Sequence, residues 1–532
     1  MSIRSHHRLW PGSLALIASI GVSLGTAGTL PGTHGQARAA SKGRPNIIVI
    51  QTDDQTYREL KPKVMPKTTR LLKRQGTTFT DYIVTTAQCC PSRASLITGQ
   101  YPHNDGVFSN QDGYDALVNK QSVLPVWLHE AGYTTAHVGK FINGYSRHHH
   151  GSVAPGWDQW QTLFAGGSDS GGYYGYTLSS NGRRVRYGHR NRDYITRVLN
   201  RKAVQLVRRN VRRRKPFYLQ LDQRAPHVAN GNRPGSCARR YPEPDPRDTG
   251  LFRHEQLPKP PSFNERSVSD KPTFLRLPSL NGAAKHKLRT HWRCALESLR
   301  GVDRGVGDLY HAVKRAGELR RTVFIFVSDN GLFFGEHRIP HNKVLPYEEA
   351  VREPLLIRVP SRYRGGANRV PKVRAAVGNI DLAPTILDFA RARPCPATGP
   401  CRTMDGRTLL PLLAGSGGWP QSRGLLTEYR APRRSSLPTC EFAGIRTPRT
   451  LYVRHTRVIN RNKDRCVASD QRERYDLKND PFELHNLCFG GNPASCPGGA
   501  QQAGLRVRLG RLQRCAGIAG RDQQVNGRPF CE

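Results

Sequence analysis

Asn46-Ile47-Ile48-Val49-Ile50-Gln51-Thr52-Asp53-Asp54 begins apolar and ends in two carboxylates. Four consecutive branched aliphatic residues leave no polar face, so a strand formed here needs cover on both sides. Outward from this stretch the pattern recurs. Thr322 to Val327 leads into Ser328-Asp329-Asn330-Gly331, and Phe217 to Leu221 leads into Asp222 and then Ala225-Pro226-His227. A weaker run, Tyr133 to Val138, leads into Gly139-Lys140. Amphipathic segments at 62–75, 122–131, 192–210 and 294–316 lie between these runs. The alternation predicts an α/β domain whose mostly parallel sheet is covered by helices on both faces. Each run meets polar residues at its C-terminal end, where open sheets of this class hold their sites.

The stretch 228–290 is rich in Pro, Gly and charge and reads as a long, substrate-facing excursion. From about 395 the pattern changes to short strands at Leu425–Tyr429, Phe442–Arg446, Leu451–His455 and Arg474–Leu477, with a helix at 502–514. We therefore expect a signal segment at 1–39, a main α/β domain at 44–394, and a smaller Cys-rich α+β region at 395–532 with an antiparallel sheet. No internal repeat is evident.

The signal segment rests on Arg4 and Arg8, an apolar stretch from Leu9 to about Leu24, and the Ala37-Arg38-Ala39 cleavage pattern. Pro11 and several Gly and Ser interrupt that stretch, which argues against a stable membrane span. Export is thus expected. Eight of the twelve cysteines lie from Cys395 onward, which in an exported chain reads as disulfides holding a loop-rich region. The formal charge over 532 residues is +43, and 65 of the 83 basic residues are arginine. Codon bias in a GC-rich genome explains such a balance, and so does an anionic partner such as a sulfated glycan. No recognition-helix, RRM or zinc-finger signature is present, so no nucleic-acid partner is expected.

Asp53-Asp54 and Asp329-Asn330 form an oxygen-rich set suited to a hard cation, Ca²⁺ or Mg²⁺. Either pair alone fits turn capping; both at strand ends favour the cation. In Thr85 to Val107, Pro91 fits the first residue of a helix that Gly99 ends. Cys89 and Cys90 would sit at its N-terminus, a setting that favours anions and activates thiols. Arg93 would point a cation into the same place. His148-His149-His150 reads as a solvated loop, since consecutive side chains point in different directions.

Cys89-x-Pro91-Ser92-Arg93, with Ala94 and Thr98-Gly99, resembles the signature of type I sulfatases. Asp53-Asp54, Gly139-Lys140, Pro226-His227, Asp329-Asn330-Gly331 and Gly335-Glu336-His337-Arg338 with Lys343 occur in that family's order. Tyr475-Asp476-Leu477, Asp480-Pro481, Glu483 and Asn486-Leu487 resemble its C-terminal pattern, so the likeness covers about 44–490. Cys89-Cys90-Pro91-Ser92-Arg93-Ala94-Ser95 with Gly99-Gln100-Tyr101-Pro102-His103-Asn104 resembles the N-acetylglucosamine-6-sulfatase and extracellular heparan endosulfatase branch. So do Pro261–Glu265 and Ser269–Pro272. Where arylsulfatases usually carry a His two residues past the Lys, this chain has Ile142, followed by Asn143.

The resemblance implies an alkaline-phosphatase-like fold and a secreted hydrolase that removes sulfate from a sugar. The implied substrate is N-acetylglucosamine-6-sulfate units of a glycosaminoglycan. It implies that a separate formylglycine-generating enzyme oxidises Cys89 to Cα-formylglycine, whose hydrate is the nucleophile. Asp53, Asp54, Asp329 and Asn330, with residue 89, would hold one Ca²⁺ or Mg²⁺. Arg93 and Lys140 would hold the diol and sulfate, and Lys343 would neutralise charge. His227 is the implied acid for the leaving alcohol, since an ordinary His titrates near ~6.5. Asn143 and His103 are the candidates for substrate contact. His103 and its neighbour Asn104 also fit a structural role, which is preferred. Cys90 is expected to stay unmodified and unpaired. Two other readings remain: a phosphomonoester or phosphonate hydrolase of the same superfamily, and a polyanion-binding protein with an inactive site.

Overall fold

Every residue of Asn46–Asp53 is buried, as an apolar run without polar alternation requires. The computed structural model describes residues 43–532 apart from 146–148, 150, 165–171, 214, 230–236, 238–239, 432–438 and 461–464. The signal segment expected at 1–39, and His148 and His150, lie outside the described residues.

In chain order the strands are β1 (Asn46–Asp53), β2 (Thr77–Phe79), β3 (Tyr82–Ile83), β4 (Thr134–Gly139), β5 (Gln159–Leu163), β6 (Thr177–Ser180), β7 (Arg183–Arg186) and β8 (Phe217–Pro226). They continue with β9 (Thr322–Ser328), β10 (Leu355–Arg358), β11 (Lys372–Val373), β12 (Val377–Gly378), β13 (Leu425–Arg430), β14 (Thr439–Arg446), β15 (Thr450–Asn460) and β16 (Arg465–Asp476). The main sheet runs β11-β2-β10-β9-β1-β8-β4-β5-β6-β7. Its central strands β9, β1, β8, β4 and β5 are parallel. Toward the edges, β10 runs antiparallel to β9 and β6 antiparallel to β5.

Among the described residues, the helices of seven or more residues are α1 (Cys89–Thr98), α2 (Leu124–Glu130), α3 (Ile195–Asn210), α4 (Gly282–Arg315), α5 (Leu382–Ala390) and α6 (Ala500–Leu512). Strand alternation divides the core between them. Ile47 and Val49 join α1, α2 and α5 on one face, with Val323, Ile325 and Val327 beside them. Ile48 and Ile50 join α3 and α4 on the other, with Phe324 and Phe326. The parallel sheet expected from the four apolar runs is therefore present, with helices on both faces.

Two of the helix starts that differ from the expectation have a local cause. α4 begins at Gly282, twelve residues before 294, and takes in part of the stretch read as an excursion. Asn281 Oδ1 accepts a hydrogen bond from Ala284 N at 2.9 Å, a cap that starts the helix there. α1 begins at Cys89 rather than Pro91. Pro91 is then the third helical residue, where its missing N–H still has no intrahelical acceptor to lose. Gly99 closes α1 in the left-handed conformation, φ 69°.

β13 to β16 form a separate antiparallel sheet. α6 packs on it through Leu505, Leu509 and Leu512 against Leu426, Ile445 and Tyr452. Disulfides Cys395–Cys401, Cys440–Cys466, Cys488–Cys496 and Cys515–Cys531 hold this region, and Cys237–Cys294 ties the excursion to α4. Cys89 and Cys90 are free and buried. No helix among the described residues is long and apolar enough to cross a membrane.

Candidate active site

In a regular strand, Asp53 and Asp54 would point to opposite faces. Here Asp54 is left-handed, φ 67°, a conformation aspartate tolerates. The register against β8 also breaks between Gln51 and Asp53. Both carboxylates thus reach one place: Cys89 Sγ lies 3.3 Å from Asp53 Oδ1 and 4.0 Å from Asp54 Oδ1. From the end of β9, Asp329 Oδ1 accepts Asp54 N at 3.1 Å, and Asn330 Nδ2 donates to Asp54 Oδ1 at 2.6 Å.

α1 supplies Cys89 and, one turn on, Arg93, which share a helix face. Arg93 donates through Nε to Asp329 Oδ2 at 2.9 Å and through Nη1 to the Lys140 carbonyl at 2.8 Å. Its Nη1 also lies 3.4 Å from Asp222 Oδ2. Lys140 leaves β4 through Gly139, φ 111°, where a Cβ would stand 1.8 Å from the Asp222 carbonyl oxygen, so only glycine fits. That turn puts Lys140 Nζ 2.5 Å from Asp53 Oδ2. Lys343 Nζ reaches Asp54 Oδ1 at 2.5 Å and Cys89 Sγ at 3.0 Å. His227 follows β8 after a cis Ala225–Pro226 bond, with Nε2 3.8 Å from Asp54 Oδ2. Its Nδ1 is 2.9 Å from the Val228 carbonyl, which can only accept, so Nδ1 carries the proton and Nε2 faces the carboxylates.

The electrostatics follow from this crowding. Burial, then the negative charge of Asp53, pushes the Cys89 thiol up to about 12. Burial and the neighbouring Asp53 push Asp329 up to about 6, against the pull of Arg93. Burial works to raise Asp53 as well, but Lys140, His227 and Arg93 outweigh it and hold that carboxyl low. Burial lowers His227 to about 4, so its imidazole is neutral at pH 7. Burial disfavours charge on Lys343, yet Asp54 and Cys89 keep it well above the ordinary lysine range.

The donors suit a hard cation. Ligand atoms of Asp53, Asp54, Cys89 and Asp329 lie within 4.8 Å of one another. Asn330 Oδ1 is buried there without a hydrogen-bond partner, a carbonyl oxygen held ready for a positive ligand. Asp329, raised by burial and then by the charge of Asp53, also favours a cation beside it.

The structure brings together nine of the residues singled out from sequence: Asp53, Asp54, Cys89, Arg93, Lys140, His227, Asp329, Asn330 and Lys343. His103 stands apart from this cluster, and Asn143 lies at its margin. His103 Nδ1 meets Glu428 Oε1 at 2.8 Å and its Nε2 meets the Cys515 carbonyl at 3.1 Å, contacts that serve the C-terminal sheet. Asn143 is half-buried, and its backbone meets Cys90 behind α1. Three residues were not singled out. Asp222 is wedged between Arg93 and His137, whose Nε2 is 3.1 Å from Asp222 Oδ2. His291 and His341 lie with ring centroids 4.6 Å apart and planes tilted by 38°, close enough to Asp54 to feel its charge. They line a cavity of about 600 Å³ with Tyr241 and Lys287. Asp222 had a visible cue, its place at a strand end; the two histidines meet only through the fold.

Comparison with known proteins adds to the geometry. A family model described as Sulfatase matches residues 45–392, and one described as N-sulphoglucosamine sulphohydrolase, C-terminal, matches 335–495. The chain is 29% identical over 544 residues to N-acetylglucosamine-6-sulfatase of Homo sapiens, covering 94% of this chain and 89% of that one. It is 32% identical over 399 residues to the extracellular sulfatase SULF-1 homolog of Drosophila melanogaster. That match covers 73% of this chain but spans only 33% of the relative's length. Among solved structures, a protein in complex with its substrate D-glucosamine-2-N,6-O-disulfate superposes with a TM-score of 0.67 at 25% identity, over 88% of this chain and 97% of that one.

Proposed function

This chain belongs to the sulfatase family, and from that premise we propose that it is a secreted hydrolase of sulfate esters on sugars. The substrate we assign is an N-acetylglucosamine-6-sulfate unit of a glycosaminoglycan. The observation that carries this reading is the position of Cys89: 3.0 Å from Lys343 and 3.3 Å from Asp53, within a closed set of carboxylates and cations. A thiol pushed up to about 12 is almost entirely protonated at neutral pH and is a poor nucleophile. Oxidation of Cys89 to formylglycine by a separate enzyme removes that difficulty. The aldehyde hydrate supplies an oxygen nucleophile to sulfur and later releases sulfate as the aldehyde re-forms.

Asp53, Asp54, Asp329 and Asn330 are assigned to one Ca²⁺ or Mg²⁺, which when bound would acidify the hydrate and polarise the sulfate. Arg93, fixed by Asp329 and the Lys140 carbonyl, holds the carboxylates in place and presents a cation to the nucleophile. Lys140 and Lys343 balance the negative charge that the sulfate brings. His227 is the proton donor for the leaving alcohol. Burial keeps it neutral alone, but a sulfate arriving beside it favours the charged form. The cavity lined by His291, His341, Tyr241 and Lys287 receives the sugar. Asn143 is retained as a candidate substrate contact at the cluster's margin. We assign the chemistry to 44–394 and the closing of the fold to 395–532. The substrate class is supported by the N-acetylglucosamine-6-sulfatase relative and by the neighbour solved with a sulfated glucosamine.

The test is the mass of the peptide spanning Cys89 in protein secreted by its own host, followed by turnover of N-acetylglucosamine-6-sulfate and of the matched 6-phosphate ester. An aldehyde at 89 with faster sulfate release is the expected result, and Cys89→Ser should be nearly inactive. An intact thiol, or a fully active Cys89→Ser variant, would overturn the mechanism. Faster phosphate release would assign the chain to phosphoester chemistry instead.

A further inference from the structure

α3 carries five basic residues and no acidic one. Arg197, Arg201 and Arg208 recur at helical spacing on one face, and Arg304, Asp308 and Arg315 do the same on α4. The two helices are parallel neighbours, because each runs back along the sheet before a strand of the same direction. They touch at Thr196 against Gly301 and at Asn200 against Gly305, where Asn200 Nδ2 donates to the Gly301 carbonyl at 2.9 Å. The stripes therefore face one groove of about 620 Å³, lined by six arginines against two aspartates.

Half of these arginines are held in place. Asp245, itself buried, accepts from Arg197 and Arg247, and Arg304 pairs with Asp248 at 2.5 Å. The other half, Arg201, Arg208 and Arg315, are exposed and form no ion pair among the described residues. The helix dipole accounts for a cation near each C-terminus, as at Arg208 and Arg315, but not for Arg201 at mid-helix.

We propose that this groove is a secondary binding site for a sulfated polysaccharide chain, distinct from the catalytic cluster. It rests on the reading of the substrate given above. From Arg197 to Arg208 the charges span about 16 Å along the helix, too far for one small anion to satisfy. The occupant is thus a linear polyanion. Arginine's planar fork pairs well with sulfate oxygens. The lining holds no aromatic side chain, the platform on which single-stranded nucleic acid stacks its bases, which favours the glycan. Because the N-terminal ends of both helices lie toward the catalytic end of the sheet, a chain held in the groove would be retained beside the site between turnovers.

The experiment uses the full chain with Cys89→Ala, so that binding is read without turnover. Heparin oligosaccharide of about ten sugars is titrated across a salt series, against the same chain carrying Arg201→Ala, Arg208→Ala and Arg315→Ala. Binding should weaken about tenfold and its salt dependence should become shallower. With Cys89 intact, the triple variant should keep monosaccharide turnover within about twofold while its KM for the polymer rises about tenfold. The corresponding triple Arg→Lys variant should recover most of the binding. Unchanged affinity and salt slope would overturn the site. Single-stranded DNA of equal charge binding as tightly, and losing as much in the triple variant, would overturn the assignment to sulfated glycan.

Discussion

Asp329 stands at the most crowded point of the cluster. It accepts from Arg93 on one side and from the Asp54 backbone on the other, while burial, and then the charge of Asp53, push its pKa up to about 6. A divalent cation bound here would remove that repulsion, so binding and stability are linked. We expect Ca²⁺ or Mg²⁺ at a hundred times its Kd to stabilise the wild-type chain by about 2.7 kcal/mol, read as a rise in thermal midpoint. Asp329→Asn should abolish both the rise and the turnover while the protein still folds. A variant with near wild-type activity would refute the ligand assignment. Asp53 and Asp54 were legible as a carboxylate pair past an apolar run, Arg93 as a cation in the helix of Cys89, and Lys343 through the family resemblance alone. The left-handed turn at Asp54, which turns both carboxylates the same way, left no mark in the sequence pattern.

The packing of α3 on α4 shows an element-scale constraint. Gly301 and Gly305 sit one turn apart on α4, and a Cβ at Gly305 would stand 2.1 Å from Asn200 Oδ1. Asn200 cannot swing away cheaply, since it also accepts from Gln223 Nε2 at 2.7 Å. In Gly305→Ala, helix propensity gains about 1 kcal/mol, and overpacking costs about 1–3 kcal/mol. Overpacking should win at this distance. The expected result is a net loss of up to about 2 kcal/mol in a denaturant titration, with the helix content of the native state unchanged. The amphipathic spacing of 192–210 located α3 to within three residues. It did not place the start of α4, because the Asn281 cap was masked by the Pro- and charge-rich composition before it.

At the scale of the whole molecule, the C-terminal sheet shares an apolar core with the main sheet, through Leu425, Tyr429, Phe442 and Leu451, and buried polar pairs cross the same junction. Arg423 and Asp381 are both fully buried and bonded at 2.6 Å, and Arg446 meets Asp81 at 2.7 Å. His103 joins this set through Glu428 on β13. Burial disfavours its charged form, but Glu428 more than compensates and raises it to about 9. In the unfolded chain it titrates near ~6.5. Its stabilisation is therefore complete below about pH 6.5 and is lost as pH rises through about 9. Across that window the wild-type chain should lose up to about 3 kcal/mol more stability than His103→Gln loses. Identical pH profiles for the two would show that this pair does not fasten the sheet. The charged residues around 261–272 and Glu483 belong to the same kind of fastening. Glu265 pairs with His337 at 2.9 Å, and Lys271 donates to the Glu483 carbonyl at 3.0 Å.

By itself the sequence determined the layer architecture, the order of the motifs and most of the chemistry-bearing residues. Those features depend on local composition: an apolar run has to be covered on both faces, and an abrupt polar end has to face a cleft or solvent. Only the tertiary structure decided how Asp54 and Asp329, 275 residues apart, meet: the Asp54 N–H donates to Asp329 Oδ1. It also decided that His103 fastens a sheet, that His291 and His341 meet, and that two arginine stripes face one groove. The physical reason is the same in each case. Hydrogen bonds, ion pairs and burial act over a few ångströms in space, and separation along the chain carries almost no information about separation in the fold.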